Sequence, residues 1–277
     1  MAGKKKDTSL LHHLIGSRSL VWNLAKNDIK KKFAGSYFGV VWAFVQPVIT
    51  VLLYWFVFEK GLNSKATDLR TGIEIPFVLW LTAGLVPWFY FREALNGGTG
   101  VLVEYSYLVK KVVFQIDMLP VVKMISALFT HLFFVAFTIV LFICMGYMPD
   151  WYALRVVYYS FCMILFATGL VYATSAVTVF FRDMKEVVGI LLQIGMWVTP
   201  IMWNFETMVQ IPGWAIAVLK LNPMYYIVSG YRNALINHIG FWENMGITVY
   251  FWVVTAVILF LGTTVFKRLR PHFADVL

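Results

Sequence analysis

Residues 124–145 read MISALFTHLFFVAFTIVLFICM, and this stretch decides the class of fold. It holds one His, His131, and no Asp, Glu, Lys or Arg. At 1.5 Å of rise per helical residue it is long enough to cross a hydrocarbon core of roughly 30 Å. Comparable runs lie on either side, from Tyr37 to Phe58, Ile75 to Phe91, Val156 to Phe181, Val187 to Trp203 and Ile247 to Phe266. A chain of 277 residues that is 60% hydrophobic and 13% charged cannot give a soluble domain a solvated surface. The fold expected is therefore an all-α membrane protein of six transmembrane helices.

Orientation follows from the loops that hold Lys and Arg. With the N-terminus cytoplasmic, the inner side receives Lys4 to Lys6, Arg18, Lys26, Lys30 to Lys32, Arg92, Lys110, Lys111, Lys123, Arg182, Lys185, Lys267, Arg268 and Arg270, while the outer side receives only Lys60, Lys65, Arg70, Arg155, Lys220 and Arg232. Both termini then face the cytoplasm. The net charge of +9 reads as topology and contact with anionic lipid, not as nucleic-acid binding. A polar, His-containing stretch follows Lys4 to Lys6, which argues against a cleavable signal peptide. Cys144 and Cys162 fall inside apolar runs, where a reduced thiol behaves as a small apolar group.

Three domains of the chain follow: a cytoplasmic N-terminus over 1–36, a transmembrane domain over 37–266 and a cytoplasmic tail over 267–277. Within the first, Trp22, Ala25, Ile29 and Phe33 share one helical face opposite Asn23, Lys26, Asn27, Lys30 and Lys31, the pattern of a helix lying on the membrane surface. Such a helix is either a basic anchor or a gate before the first span. The loop 92–119 contains Gly97-Gly98-Thr99-Gly100, but Val101 and Leu102 stand where a phosphate-binding loop needs Lys and Ser or Thr. No soluble stretch is long enough for a nucleotide-binding domain. If ATP drives the chain, it acts on another polypeptide, and the stretch from Glu104 to Lys111 is the handle on which that partner would push. The segment 204–243 stays apolar while broken by Ile211-Pro212-Gly213 and Asn222-Pro223, which predicts short helices dipping in from outside as a gate or cap.

Chemistry is sparse. No paired carboxylates and no metal spacing occur, and the spans hold almost no ionisable group of the kind an ion-driven pump needs. His131 reads as a packed, hydrogen-bonded side chain. The notable interior polar groups are Gln46 and Gln193. Aromatics make up 18% of the chain, and Trp42, Tyr54, Trp88, Trp197 and Trp203 lie in or beside spans. Most such residues serve packing or the interfacial belt, yet an aromatic-lined passage would also let sugar rings slide.

Several runs resemble the permease subunits of type-2 ABC exporters for O-antigen, capsule-like glycans and wall teichoic acid. They are Asn27-Asp28-Ile29-Lys30, then Ser36-Tyr37-Phe38-Gly39-Val40-Val41-Trp42 with Gln46-Pro47, then Ala83-Gly84-Leu85-Val86-Pro87-Trp88. Leu108-Val109-Lys110-Lys111-Val112-Val113-Phe114 with Leu119-Pro120 looks like the family's coupling region, although Gln115 stands where a Pro often follows the Phe. Phe181-Arg182-Asp183, Thr199-Pro200-Ile201, Asn222-Pro223, Gly230-Tyr231-Arg232 and Phe273-Ala274-Asp275-Val276-Leu277 continue the pattern.

The resemblance implies a homodimer of this chain joined to two copies of a separate ATPase that holds ATP and magnesium, with no cofactor and no catalysis on this chain. Glu104, Tyr105, Leu108, Lys110 and Lys111 would couple to the ATPase. Trp22, Asp28, Ile29 and Phe33 would form an interfacial gate helix. Trp42, Gln46, Tyr54, Trp88, Gln193, Trp197 and Trp203 are candidates to line a channel for an undecaprenyl-linked glycan, with Arg92 a candidate contact for its headgroup. An exporter of small drugs or lipids, and a partner-free flippase or membrane enzyme, are the rival readings.

Overall fold

The computed structural model describes residues 18–32, 34, 37–110, 115–203 and 212–277. Helix α1 spans Arg18–Lys32. Helix α2, Trp42–Trp55, continues through a wider turn over Phe56–Gly61, and a two-stranded antiparallel ribbon follows, β1 Ala66–Thr67 against β2 Glu74–Ile75. Helix α3 is Phe77–Thr99, and two one-turn helices come next, α4 Val101–Glu104 and α5 Ser106–Val109. Helices α6 Met118–Cys144, α7 Arg155–Phe180 and α8 Met184–Val198 precede the short helices α9 Gly213–Lys220 and α10 Pro223–Arg232. Helix α11, Met245–Leu269, and the terminal turn α12, Phe273–Val276, complete the chain.

Among the described residues, four helical stretches are long and apolar enough to cross a membrane: Trp42–Gly61, Met118–Cys144, Trp151–Phe180 and Met245–Val276. The other two expected spans form helices but stand apart for physical reasons. Helix α3 carries Arg92, Glu93 and Asn96 in its second half. Helix α8 has 15 residues, because Pro200 follows closely and cannot continue a helical ladder. The glycine run expected in a loop belongs to α3, which ends only at Thr99, and the connecting segment begins at Gly100.

Helix α3 is the central post. Its buried residues run from Phe77 through Trp88 and on to Thr99, and it packs against α2, α6, α7, α8 and α10. Its first turn has free N–H groups, and the Glu59 carboxylate accepts from Val78 N at 3.2 Å, placing a negative charge at the positive end of the helix. Helices α7 and α11 make the most extensive pairing. They cross where a Cβ on Gly262 would overlap the Gly169 carbonyl, the small-residue contact that lets helices in lipid approach closely. A second core joins Val101, Leu102, Tyr105 and Val109 to Tyr172, Phe266 and Phe273. A third, smaller one seats Val21 and Ala25 of α1 on Met118 and Val122 of α6. The face of α1 that packs on the protein is therefore Val21, Ala25 and Asp28, while of the face expected to lie on the membrane surface Trp22 is exposed, Ile29 half-buried and Ala25 buried. Phe33 and Lys111 lie outside the described residues, as do residues 1–17 and 204–211.

Candidate functional site

A cavity of about 690 Å³ opens among α1, α2, α3 and α6. Helix periodicity builds its walls. Trp42, Gln46, Thr50 and Tyr54 recur at four-residue steps along α2, Phe89, Arg92, Glu93 and Asn96 form one face of α3, and Lys123, Ala127 and Thr130 one face of α6. Asp28 and Lys31 of α1 close one side, with Glu104 of α4 and Met196 of α8 contributing single side chains. The lining is therefore aromatic and amide on one wall and charged on the others.

The charges are not equivalent. Lys123 Nζ lies 2.6 Å from Asp28 Oδ1 and 2.9 Å from Glu104 Oε2, so one ammonium ties α1, α4 and α6 together. The Tyr105 hydroxyl donates to Asp28 Oδ1 at 2.8 Å. Burial raises the Tyr105 phenol far above its usual range, and the bonded Asp28 carboxylate raises it further, so the hydroxyl remains a donor at every physiological pH. Lys31 sits over the Tyr105 ring at 5.3 Å. Arg92, by contrast, is exposed to the cavity and makes no hydrogen bond or ion pair with any described residue.

Of the candidates named from sequence, Asp28, Trp42, Gln46, Tyr54, Arg92 and Glu104 meet at this cavity. Trp88 does not: it is buried, and its ring abuts Gly195 of α8, where a Cβ would stand 3.0 Å away. Gln193 and Trp197 are exposed on α8, away from the cavity, and the Trp203 indole N–H donates to the Trp197 carbonyl at 2.9 Å. Tyr105 points inward and Leu108 is half-buried, so the outward surface of this segment is Glu104, Tyr107 and Lys110. Sequence reasoning missed Lys123. Its signal was a Lys immediately before the apolar run 124–145, which counting charges for topology treated as one more cytoplasmic cation. His131 is hydrogen-bonded as expected, to the Tyr231 hydroxyl at 3.0 Å and Ser160 Oγ at 3.3 Å.

A family model described as ABC-2 type transporter matches residues 19–236, from α1 through the turn after α10. The chain belongs to that family. As a member it is a multi-pass membrane protein, and the matched range includes every residue lining the cavity. The transporter is similar to an O-antigen export system permease protein RfbA of Myxococcus xanthus, 24% identical over 96% of this chain and 98% of that protein. An RfbA of Klebsiella pneumoniae is 21% identical over 92% and 93%. The polysialic acid transport protein KpsM of Escherichia coli is 22% identical over 87% and 89%. Near-complete coverage on both sides means that the transporter aligns with these permeases along nearly its whole length.

Proposed function

We propose that this chain is the membrane-spanning subunit of an ATP-driven exporter that moves an undecaprenyl-linked polysaccharide, of O-antigen or teichoic-acid type, across the cytoplasmic membrane. The observation that carries the reading is the cavity, where Trp42, Tyr54 and Phe89 share the lining with Arg92, a cation with no hydrogen bond or ion pair among the described residues. Aromatic rings suit the apolar faces of sugars, and a free guanidinium suits a diphosphate headgroup in a bidentate fork. Relatives named for O-antigen and polysialic acid transport support the same cargo class.

In this reading α3 and α8 complete a set of six spans, with both termini cytoplasmic. The channel forms between two copies, which face each other through the sparsely buried helices α2 and α8; Val51 is the one buried residue of α2, and Val188 and Leu192 the two of α8. Two copies of a separate ATPase hold ATP and magnesium and press on Glu104, Tyr107 and Lys110 when they close. That push reaches α1 through Tyr105, Asp28 and Lys123, and α1 then shifts to admit the lipid-linked headgroup. Helices α9 and α10 cap the opposite end.

Co-purification with a separate ABC ATPase, followed by ATPase assays with and without lipid-linked glycan, tests the reading. A complex of two and two, stimulated by the glycan and uncoupled by a combined E104A, Y107A, K110A variant, is expected. Stimulation by small amphiphiles instead assigns the chain to drug or lipid export, and transport by the purified chain without any ATPase assigns it to a partner-free flippase.

A further inference from the structure

Arg232 counts, in the sequence, among the charges of an external loop, yet its side chain is buried. Nη1 donates to the Pro200 carbonyl at 2.7 Å, Nη2 to the Ile201 carbonyl at 2.6 Å and Nε to the Trp80 carbonyl at 3.3 Å, and the guanidinium stacks on the Trp80 ring at 3.3 Å. A Cβ at Gly84 would lie 2.6 Å from Nη2, so the glycine of α3 makes the room this fork occupies. A buried guanidinium is tolerated where its donors are met by fixed acceptors and its face by an aromatic ring.

Two of the three carbonyls it grips, those of Pro200 and Ile201, lie directly beyond the C-terminal end of α8, where a helix carries a partial negative charge. The other end of α10 holds the same turn. Asn222 caps α10 by accepting from Met224 N at 3.0 Å, while its Nδ2 donates to Thr199 Oγ1 at 2.8 Å. Helix α10 is thus a bracket whose two ends both fasten Thr199–Ile201. Along its length α8 is otherwise loosely held, with Val188 and Leu192 its buried residues. At its start, Lys185 lies against Gly100, the residue from which α4 springs.

We infer that Arg232 is a positioning residue for transport: it makes the C-terminal end of α8 a fixed pivot, so that motion of α4 at Gly100 tilts the helix about that end. The inference rests on the ATP-driven reading for the source of the motion, but not for the pivot itself. A rigid end and a free end on one helix convert a small push into a displacement that grows with distance from the clamp.

The test uses the whole chain, with Cys144 replaced by Ala, in nanodiscs with its ATPase. One spin-label pair is W197C with W214C near the clamp, and a second is E186C with K267C at the other end; all four positions are exposed. Trapping the ATP-bound state is expected to shift the second pair by roughly 5 Å and leave the first unchanged. R232Q should broaden the first pair and cut transport about tenfold while ATP hydrolysis continues, and R232K, which keeps the charge but not the fork, should fall between. W80L removes the stacking while leaving the backbone acceptors, and gives the same readout in a milder form should R232Q fail to fold. Movement of the first pair as far as the second with Arg232 intact overturns the pivot, as does an unchanged first pair in both R232Q and W80L. If no ATPase associates, the energising part of the proposed function fails, and broadening of the first pair by R232Q in the chain alone still decides the pivot.

Discussion

Lys123 on α6 stands 2.6 Å from Asp28 on α1, with the lysine side chain 13% exposed and the aspartate 6%. Two elements far apart in the chain are therefore joined by a pair that is almost dry, in which removing one partner strands the other. K123M is expected to destabilise the protein by roughly 3–5 kcal/mol, the cost of an uncompensated buried charge. The double exchange D28K with K123D should be more stable than either single exchange, and thermal melts of wild type, D28K, K123D and the double exchange read the coupling directly.

Tyr105 contributes a ring to the second core and a hydroxyl to Asp28. Y105F keeps the ring and loses one hydrogen bond, an expected cost of about 1 kcal/mol, whereas Y105A also opens a void and should cost about 3 kcal/mol or more. Equal melting temperatures for the two variants would show that the ring is not a wedge between α4 and α7.

The crossing of α7 and α11 makes Gly262 intolerant of any side chain, since a Cβ there meets the Gly169 carbonyl. G262A should lower the yield of folded protein sharply. Gly189 in α8 faces open space with ordinary helical backbone, so G189A should be neutral or stabilise by about 0.5 kcal/mol. Size-exclusion profiles of the two variants separate these outcomes.

Arg92 is exposed to the cavity and makes no ion pair among the described residues, so R92Q should leave the stability within about 0.5 kcal/mol of wild type. Binding of a lipid diphosphate should nonetheless weaken about tenfold, the worth of one charge-assisted pair. Loss of stability without loss of binding would remove Arg92 from the ligand site.

Asp68, in the connection between α2 and α3, lies outside the spans. Burial pushes its carboxyl upward, but N–H donors from Arg70 and Thr71 and the Thr71 hydroxyl outweigh that and hold it below the ordinary 3.8. A depressed folded value means that the stabilisation is complete above 3.8 and is lost as the pH falls through the folded value beneath it. Exchange protection of the Arg70 and Thr71 amides should therefore be flat from neutral pH down to the ordinary carboxylate range and collapse below it. In D68N it should be weak throughout.

How much of this could be read in the chain differs from element to element. The apolar runs around 124–145, 156–181 and 247–266 were legible because each helix in a bilayer must satisfy its own backbone and cover it with apolar side chains, a requirement that acts residue by residue. The break at Asn222-Pro223 was legible for the same local reason, whereas the run expected over 187–203 stops as a helix at Val198, ahead of Pro200. Helix α3 was only half legible: its polar second half, Arg92 to Thr99, reads as a loop until neighbouring helices supply its surroundings.

The site itself shows the same division. Trp42, Gln46 and Tyr54 could be grouped from spacing along one helix, as could the outward Glu104 and Lys110. That Asp28, Glu104 and Lys123 meet, that Trp88 is sealed against Gly195, and that Arg232 closes on carbonyls 31 and 32 residues before it, depends on which helix faces which. Sequence alone determined that this chain lives in a membrane as a bundle of helices, because hydrophobicity and backbone satisfaction are local. Only the tertiary structure decided which charges are paired, because the energy of a buried charge is set by its neighbours across the fold and not by its neighbours along the chain.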